Sequence, residues 1–109
     1  MNYSSHMVEV VKSATFDRWL RKLKDRRAAA RVLVRIDRLA AGNPGDAKPV
    51  GAGIFELRID YGPGYRVYYI NEAQQLIVLL CGGDKSSQDR DIAAAHEIAA
   101  AWRNDEQDH

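Results

Sequence analysis

The sequence predicts a single α+β domain: an antiparallel sheet, made of an N-terminal strand plus a three-strand meander, with an N-terminal αα-hairpin and a C-terminal helix. Three observations predict it. Apolar residues recur at helical spacing from residue 16 to 40 and again from 92 to 102. Between these stretches, residues 55–81 switch to two-residue alternation and β-rich runs separated by turn residues. A chain of 109 residues, 46% hydrophobic and 28% charged, also has material for one modest core. All the helices are expected on one face of the sheet.

Residues 1–7 show no periodicity, and Ser5-His6-Met7 resembles the scar of an expression tag. The domain is therefore placed at 8–104, with 1–7 a tag remnant or disordered and 105–109 a frayed polar tail. Val8 to Lys12 is short and β-branched and reads as a strand. Ser13 or Thr15 caps the next helix, where Phe16, Trp19, Leu20 and Leu23 form one apolar stripe. Asp25 caps a second helix from Arg26 to Ala41, buried along Val32, Ile36, Leu39 and Ala40 and stopped at Gly42. Asn43-Pro44-Gly45-Asp46 is a turn. Phe55 to Asp60 alternates as a half-buried strand does, Tyr61-Gly62-Pro63-Gly64 reverses the chain, and Tyr65 to Ile70 returns. Leu76 to Cys81 is apolar on both faces, which places it centrally in the sheet. Gly82-Gly83-Asp84 reads as a turn. Ser86, with Asp89 three residues on, reads as the cap of a last helix buried along Ile92, Ala95, Ala99 and Trp102.

Composition excludes several classes. The longest apolar run, Leu76 to Cys81, is far too short to span a bilayer, and no secretory pattern is visible. The single cysteine, Cys81, allows no internal disulfide and reads as a buried thiol. No Cys/His cluster has zinc spacing and no carboxylates cluster as in two-metal nucleases, so neither metal nor cofactor is expected. These features fit a reducing cytoplasm. The net charge of +1 hides a split. Residues 1–70 carry 13 Lys/Arg against 7 Asp/Glu, whereas residues 71–109 carry 3 against 8. A basic surface for a polyanion and an acidic C-terminal flank follow.

Register in the hairpin locates a candidate site. Pairing Phe55 with Tyr69, Leu57 with Val67 and Ile59 with Tyr65 gathers the large apolar groups on one face. The same register sets Arg58 opposite Arg66, and Glu56 opposite Tyr68, on the other, polar face. Two facing arginines repel, but an anion between them reverses the sign, and guanidinium forks suit phosphate oxygens. The alternative is a surface salt network with Glu56, Asp60 and Asp84. The segment Gly82 to Lys85 should return to the same end, bringing Lys85 close to the arginines and to a helix N-terminus that accepts anions. Arg58, Arg66, Lys48, Lys85, Arg26 and Arg27 are the RNA-binding candidates. His6 and His109 lie near the chain ends and His96 lies beside an apolar stripe, so no histidine pair offers acid–base cleavage. If RNA is cut, Arg66 and Arg58 would hold the developing phosphorane charge, and Lys85, Tyr68 or Glu56 would move protons. Ser86 and Ser87 have no activating base. Arg66→Ala is expected to spare the fold, because its side chain is assigned to the polar face.

The blocks Gly53-Ile54-Phe55-Glu56-Leu57-Arg58-Ile59, Gly62-Pro63-Gly64-Tyr65-Arg66-Val67-Tyr68-Tyr69 and Gly82-Gly83-Asp84-Lys85-Ser86-Ser87-Gln88 resemble the addiction-module killer proteins. Those proteins are a branch of the RelE/HigB toxin superfamily. Asp91-Ile92, Phe16 to Leu20 and Leu39 to Asp46 fit the same pattern, so the resemblance spans nearly everything from Val8 to the last helix. It implies a RelE-like, microbial RNase-type fold and cleavage of mRNA on the ribosome, with the 2′-hydroxyl as nucleophile and no metal. It also implies a helix-turn-helix antitoxin as partner, and contact with operator DNA only through that antitoxin. Residue by residue, Arg66 matches the phosphate-binding arginine, Arg58 a basic position of the preceding strand, and Lys85 a basic catalytic position. A clear tyrosine or histidine near residues 88–93 is missing, which leaves the general acid and base open. Two other readings stand beside the nuclease: a ParE-like toxin that poisons DNA gyrase without cutting RNA, and a basic RNA-binding domain without activity.

Overall fold

The computed structural model describes residues 8–73 and 75–107, with side-chain burial defined through residue 105. The segment 1–7, with Ser5-His6-Met7, and His109 lie outside the described residues. Along the chain run β1 (Glu9–Lys12), α1 (Ala14–Lys22), α2 (Arg26–Ala40), β2 (Ala47–Pro49), β3 (Ile54–Ile59), β4 (Tyr65–Glu72), β5 (Leu76–Asp84), a single 3-10 turn (Lys85–Ser87) and α3 (Gln88–Gln107). The class is α+β, with an N-terminal helical pair and a C-terminal helix around one sheet.

Both N-terminal helices start on short polar side chains. Ser13 Oγ accepts the Phe16 amide at 2.9 Å and donates to the Leu80 carbonyl at 2.6 Å, so this cap also fastens α1 to the sheet. Asp25 Oδ1 accepts the amides of Arg27 and Ala28 at 3.0 and 3.2 Å. From α1, Phe16 is buried; from α2, Ala28, Val32, Ile36 and Leu39 are.

The sheet has five strands in the order β1-β5-β4-β3-β2. The hairpin register is as the alternation implies: Phe55 faces Tyr69, Leu57 faces Val67, Ile59 faces Tyr65, and Arg58 faces Arg66. Three features differ from the expected antiparallel four-strand sheet. First, β1 lies parallel to β5, from Glu9 beside Leu76 to Lys12 beside Leu79, so the sheet is mixed. Alternation of side chains specifies a face but no direction, which is why the orientation was invisible. Second, β2 adds an edge, Ala47 to Pro49 along Leu57 to Phe55. Three residues ending in proline give no strand pattern, yet proline is tolerated at an edge. Third, β5 does not turn at Gly82 but continues to Asp84, with Val67 facing Gly82 and Arg66 facing Gly83.

These two glycines are there for space. A Cβ on Gly82 would come within 2.3 Å of the Trp19 ring, and one on Gly83 within 1.8 Å of Asp91 Oδ2. Helices therefore press on the same strand from both sides, and the expectation that all helices share one face is corrected. On one face α1 and α2 cover Leu57, Ile59, Val67, Tyr69, Ile77 and Leu79. On the other α3 covers Ile54, Tyr68, Ile70, Val78, Leu80 and Cys81. A register shift between Tyr68 and Tyr69 lets consecutive Leu80 and Cys81 both join the α3 side.

Two helix boundaries also move. Ser86 is not the cap but lies inside the 3-10 turn that leads into α3; Asp84 caps that turn, accepting the Ser86 amide at 2.8 Å, while Ser87 Oγ accepts the Asp84 amide at 3.3 Å. An aspartate at this position offers two oxygens to the turn, where the serine hydroxyl itself donates to Asp84. Residues 105–107, expected in a frayed tail, are helical, since α3 continues to Gln107. Its end is fastened by Arg103 Nη1, which donates to the Ala52 carbonyl at 2.9 Å, and the last residues include good helix formers.

Candidate functional site

Alternation along β3 and β4 sends Glu56, Arg58, Arg66 and Tyr68 to the α3 side of the sheet. This face is not the open polar surface the sequence suggested. Glu56 is 0% exposed, Tyr68 is fully buried, and Arg66 is 9% exposed. The first turn of α3 closes over them. Gln88 Nε2 donates to Glu56 Oε2 at 2.8 Å and the Tyr68 hydroxyl donates to the same oxygen at 2.9 Å. Arg66 Nε stands 3.6 Å from it, an ion pair too long to count as a hydrogen bond. Glu56 Oε1 and Arg66 Nε consequently have no protein hydrogen-bond partner.

This arrangement constrains the chemistry. Burial, then the hydrogen bond to Glu56 and the charges of Glu56 and Asp91, push the Tyr68 hydroxyl far above its ordinary range, with Arg66 pulling weakly the other way. Tyr68 is thus held as a donor to Glu56, and neither side chain meets solvent. Both were candidates for proton transfer; in the structure both are buried, Tyr68 hydrogen-bonded to Glu56 and Glu56 paired with Arg66. Arg66→Ala cannot be expected to spare the fold either, since it would strand a buried carboxylate.

Around this buried centre lie the exposed candidates. Arg58 faces Arg66 in register, but its guanidinium turns to the edge, where Nε and Nη2 donate to Asp46 Oδ1 at 3.2 and 3.0 Å. That pair is half exposed and of the weakly stabilising kind. The repulsion anticipated between the two arginines is relieved by separate acids, Asp46 and Glu56, the first of which sequence reasoning missed. Lys85 is exposed in the 3-10 turn. A Cβ on Gly64, whose φ is +82°, would stand 3.5 Å from Lys85 Cβ and 3.8 Å from Arg66 Nη1, so the three converge at the turn end of the sheet. Arg66 Nη1 makes a long contact of 3.4 Å to the Gly64 carbonyl.

The remaining candidates are elsewhere. Lys48 is exposed on β2, opposite Glu56 in register. Arg26 and Arg27 are exposed at the start of α2, which packs on the opposite face of the sheet from Arg66. His96 Nε2 lies 3.3 Å from the Val50 carbonyl on the flank of α3, a structural contact. Burial pushes the Cys81 thiol up to about 12, helped by the charge of Asp91, whose carbonyl accepts the thiol at 3.4 Å. Among the described residues no group of three or more His, Cys, Asp or Glu side chains could hold a metal ion. No helix among them is long and apolar enough to cross a membrane.

The fold and site together define a small α+β domain with an arginine seated on a buried carboxylate and flanked by exposed basic groups. Comparison with known proteins gives this class a family. The phage derived protein Gp49-like family matches residues 18–104, and the chain belongs to it. A relative in Haemophilus influenzae, itself an uncharacterized protein, is 55% identical over 92 residues, covering 84% of this chain and 93% of the relative. Among solved structures, a chain from the crystal structure of the toxin–antitoxin complex RelBE2 of Mycobacterium tuberculosis is 25% identical. That likeness covers 72% of this chain and 99% of the other, with a TM-score of 0.48.

Proposed function

We propose that the protein is the toxin of a type II toxin–antitoxin module, an endoribonuclease that cuts mRNA on the ribosome without a metal and so stops translation. The observation that carries this reading is the approach of Arg66 and Lys85 beside Gly64 at one end of the sheet, with Arg58 opposite Arg66 in register and Arg66 held by a buried carboxylate at a loose 3.6 Å. A guanidinium has five N–H donors, and here the Glu56 and Gly64 contacts leave most of them uncommitted. The resemblance of its motif blocks to the RelE/HigB superfamily supports a phosphate-binding role for Arg66. Arg58 can exchange an exposed aspartate for a phosphate oxygen at small cost.

In this mechanism the RNA 2′-hydroxyl attacks the adjacent phosphorus and the 5′-oxygen departs. Arg66 faces the extra negative charge on the phosphorane oxygens, the step at which a prepositioned donor contributes most. Lys85 supplies the proton to the departing oxygen, and solvent takes the 2′-hydroxyl proton. Glu56, held by Tyr68 and Gln88, acts through Arg66 by its charge. The cellular setting follows the resemblance: cytoplasm, ribosome and mRNA as targets, and a helix-turn-helix antitoxin through which alone operator DNA is bound.

Purified protein added to translating ribosomes, with mRNA 5′ ends mapped by primer extension, tests the reading. Wild type should give codon-phased cuts. Arg66→Lys, which keeps the charge but not the fork, should lose cleavage by ~10²–10³-fold with little change in melting. Cutting by Arg66→Lys at the wild-type rate would refute the role of Arg66. The withdrawal of Tyr68 and Glu56 from solvent supports the two non-cleaving rivals, a ParE-like toxin and an RNA-binding domain. Intact mRNA with inhibited gyrase, or salt-sensitive RNA binding without cuts, would establish one of those instead.

A further inference from the structure

Leu33 and Val34, the large hydrophobic side chains left exposed among the described residues, are neighbours on the outer side of α2, at 42% and 48% exposure. With exposed Ala30 they form an aliphatic ridge running away from the buried stripe of Val32, Ile36 and Leu39. A groove lies on either side, and Ala30 lines both. One, of about 680 Å³, runs between α2 and the end of β3, with Arg27, Arg31, Val34 and Arg38 along it. The other, of about 600 Å³, runs along the α1–α2 corner, with Leu20, Leu23 and Leu33 among basic residues. Lys22, Lys24 and Arg26 are also in its wall, and Asp60 is the acid among the lining residues of either groove. Among the described residues Arg26, Arg27 and Arg38 form no ion pair.

We propose that this ridge docks an acidic, amphipathic helix of a protein partner, with its aliphatic face on Leu33 and Val34 and its carboxylates on Arg26, Arg27 and Arg38. Charge complementarity selects the partner's sign, because cations border the ridge on both sides. The paired grooves beside a helical spine suit the side chains of a second helix. The aliphatic centre selects protein over RNA. Nucleic-acid surfaces stack bases on aromatic rings or arginine planes, and here the Arg31 plane already lies over Tyr61 at 4.6 Å. The ridge belongs to the α1–α2 face of the sheet and Arg66 to the α3 face, so a docked helix and a bound RNA occupy different sides. The inference deepens the antitoxin part of the proposed function by giving that partner a place and a chemistry. It stands apart from the cleavage reading, since a protein that never cuts RNA could present the same ridge.

The test is an NMR titration of the isotopically labelled full chain with three probes. They are a stapled synthetic helix with Leu on one face and Glu on the others, the same helix with Lys for Glu, and a short oligouridylate. The Glu helix should shift the amide signals of Ala30, Leu33 and Val34, the Lys helix should not, and the RNA should leave those signals in place. Leu33→Glu and Val34→Glu, at exposed positions, should keep the melting temperature and weaken the Glu helix by roughly tenfold or more. Any of four results overturns the proposal: no shifts with the Glu helix, equal binding of the Lys helix, RNA shifting the ridge, or undiminished affinity in both variants. Concentration-dependent self-association that Val34→Glu abolishes would overturn it in favour of a second copy of this chain. In the ribosomal assay Val34→Glu should match wild type whether or not wild type cuts, which keeps this outcome separable from the fate of the nuclease reading.

Discussion

The two faces of one sheet are built on different principles. The face under α1 and α2 is apolar from end to end: Phe16, Val32, Leu57, Val67 and Leu79 are fully buried there, with aromatic rings at its margin. The face under α3 begins the same way, with Ile54, Ile70, Val78 and Leu80, and then changes along the strands into Tyr68, Glu56 and Arg66. Burying a carboxylate and a guanidinium where hydrophobic residues would fit is seldom the more stable choice. The contrast teaches that the first face holds the fold, while the polar end of the second is where a candidate site can be built.

The largest expected effects would break this contrast from each side. Phe16→Ala should lower the unfolding free energy by ~3–5 kcal/mol through a cavity. Arg66→Ala should cost a similar ~3–5 kcal/mol for another reason, a buried Glu56 left without its cation. Urea unfolding separates the causes, because Glu56→Gln should recover much of the Arg66→Ala loss and none of the Phe16→Ala loss. An Arg66→Ala cost below ~1 kcal/mol would mean that the pair behaves as a surface contact.

A smaller effect probes where the faces meet, at β5. Gly83→Ala drives a methyl group into Asp91 and Ser87 and should destabilise by ~1–3 kcal/mol, read as a lower urea midpoint. No change in midpoint would show that the first turn of α3 sits more loosely than described. The smallest effect sharpens the picture of the cap. Hydrogen bonding from Ser86, with further help from backbone amides and Arg90, holds the Asp84 carboxyl below its ordinary value of 3.8 against the opposing effect of burial. A lowered folded value means that the contribution is complete above 3.8 and is lost as pH falls through the lowered value. Asp84→Asn should therefore flatten the acid limb of the stability profile and leave its shape near neutrality unchanged. An unaltered acid limb would contradict that cap.

How much of this could be read in advance follows from what a sequence pattern encodes. The hairpin register was readable because Phe55, Leu57 and Ile59 alternate with charged residues, and a one-residue slip would bury the charges. The continuous apolar run of β5 signalled burial on both sides, and following it through would have placed a helix on each face. Direction is different: nothing in Val10-Val11 tells parallel from antiparallel pairing. Gly82 and Gly83 have turn composition, and only the positions of Trp19 and Asp91 reveal that they are strand residues kept bare. The register of Arg58 opposite Arg66 was readable, and so was Glu56 as an acid beside them, but Asp46 and the closure of Gln88 over Glu56 were not. Asp46 lies 12 residues from Arg58, and Gln88 lies 32 residues from Glu56, so both contacts are made by tertiary packing.

The most direct measurement combines stability with activity in a single variant, Glu56→Leu/Arg66→Met/Tyr68→Phe, which makes the α3 face as apolar as its counterpart. The predicted result is an unfolding free energy equal to wild type or higher by ~1–4 kcal/mol, together with loss of codon-phased mRNA cleavage on ribosomes. A variant that unfolds more easily than wild type, or that still cuts mRNA, would contradict the division of labour between the two faces.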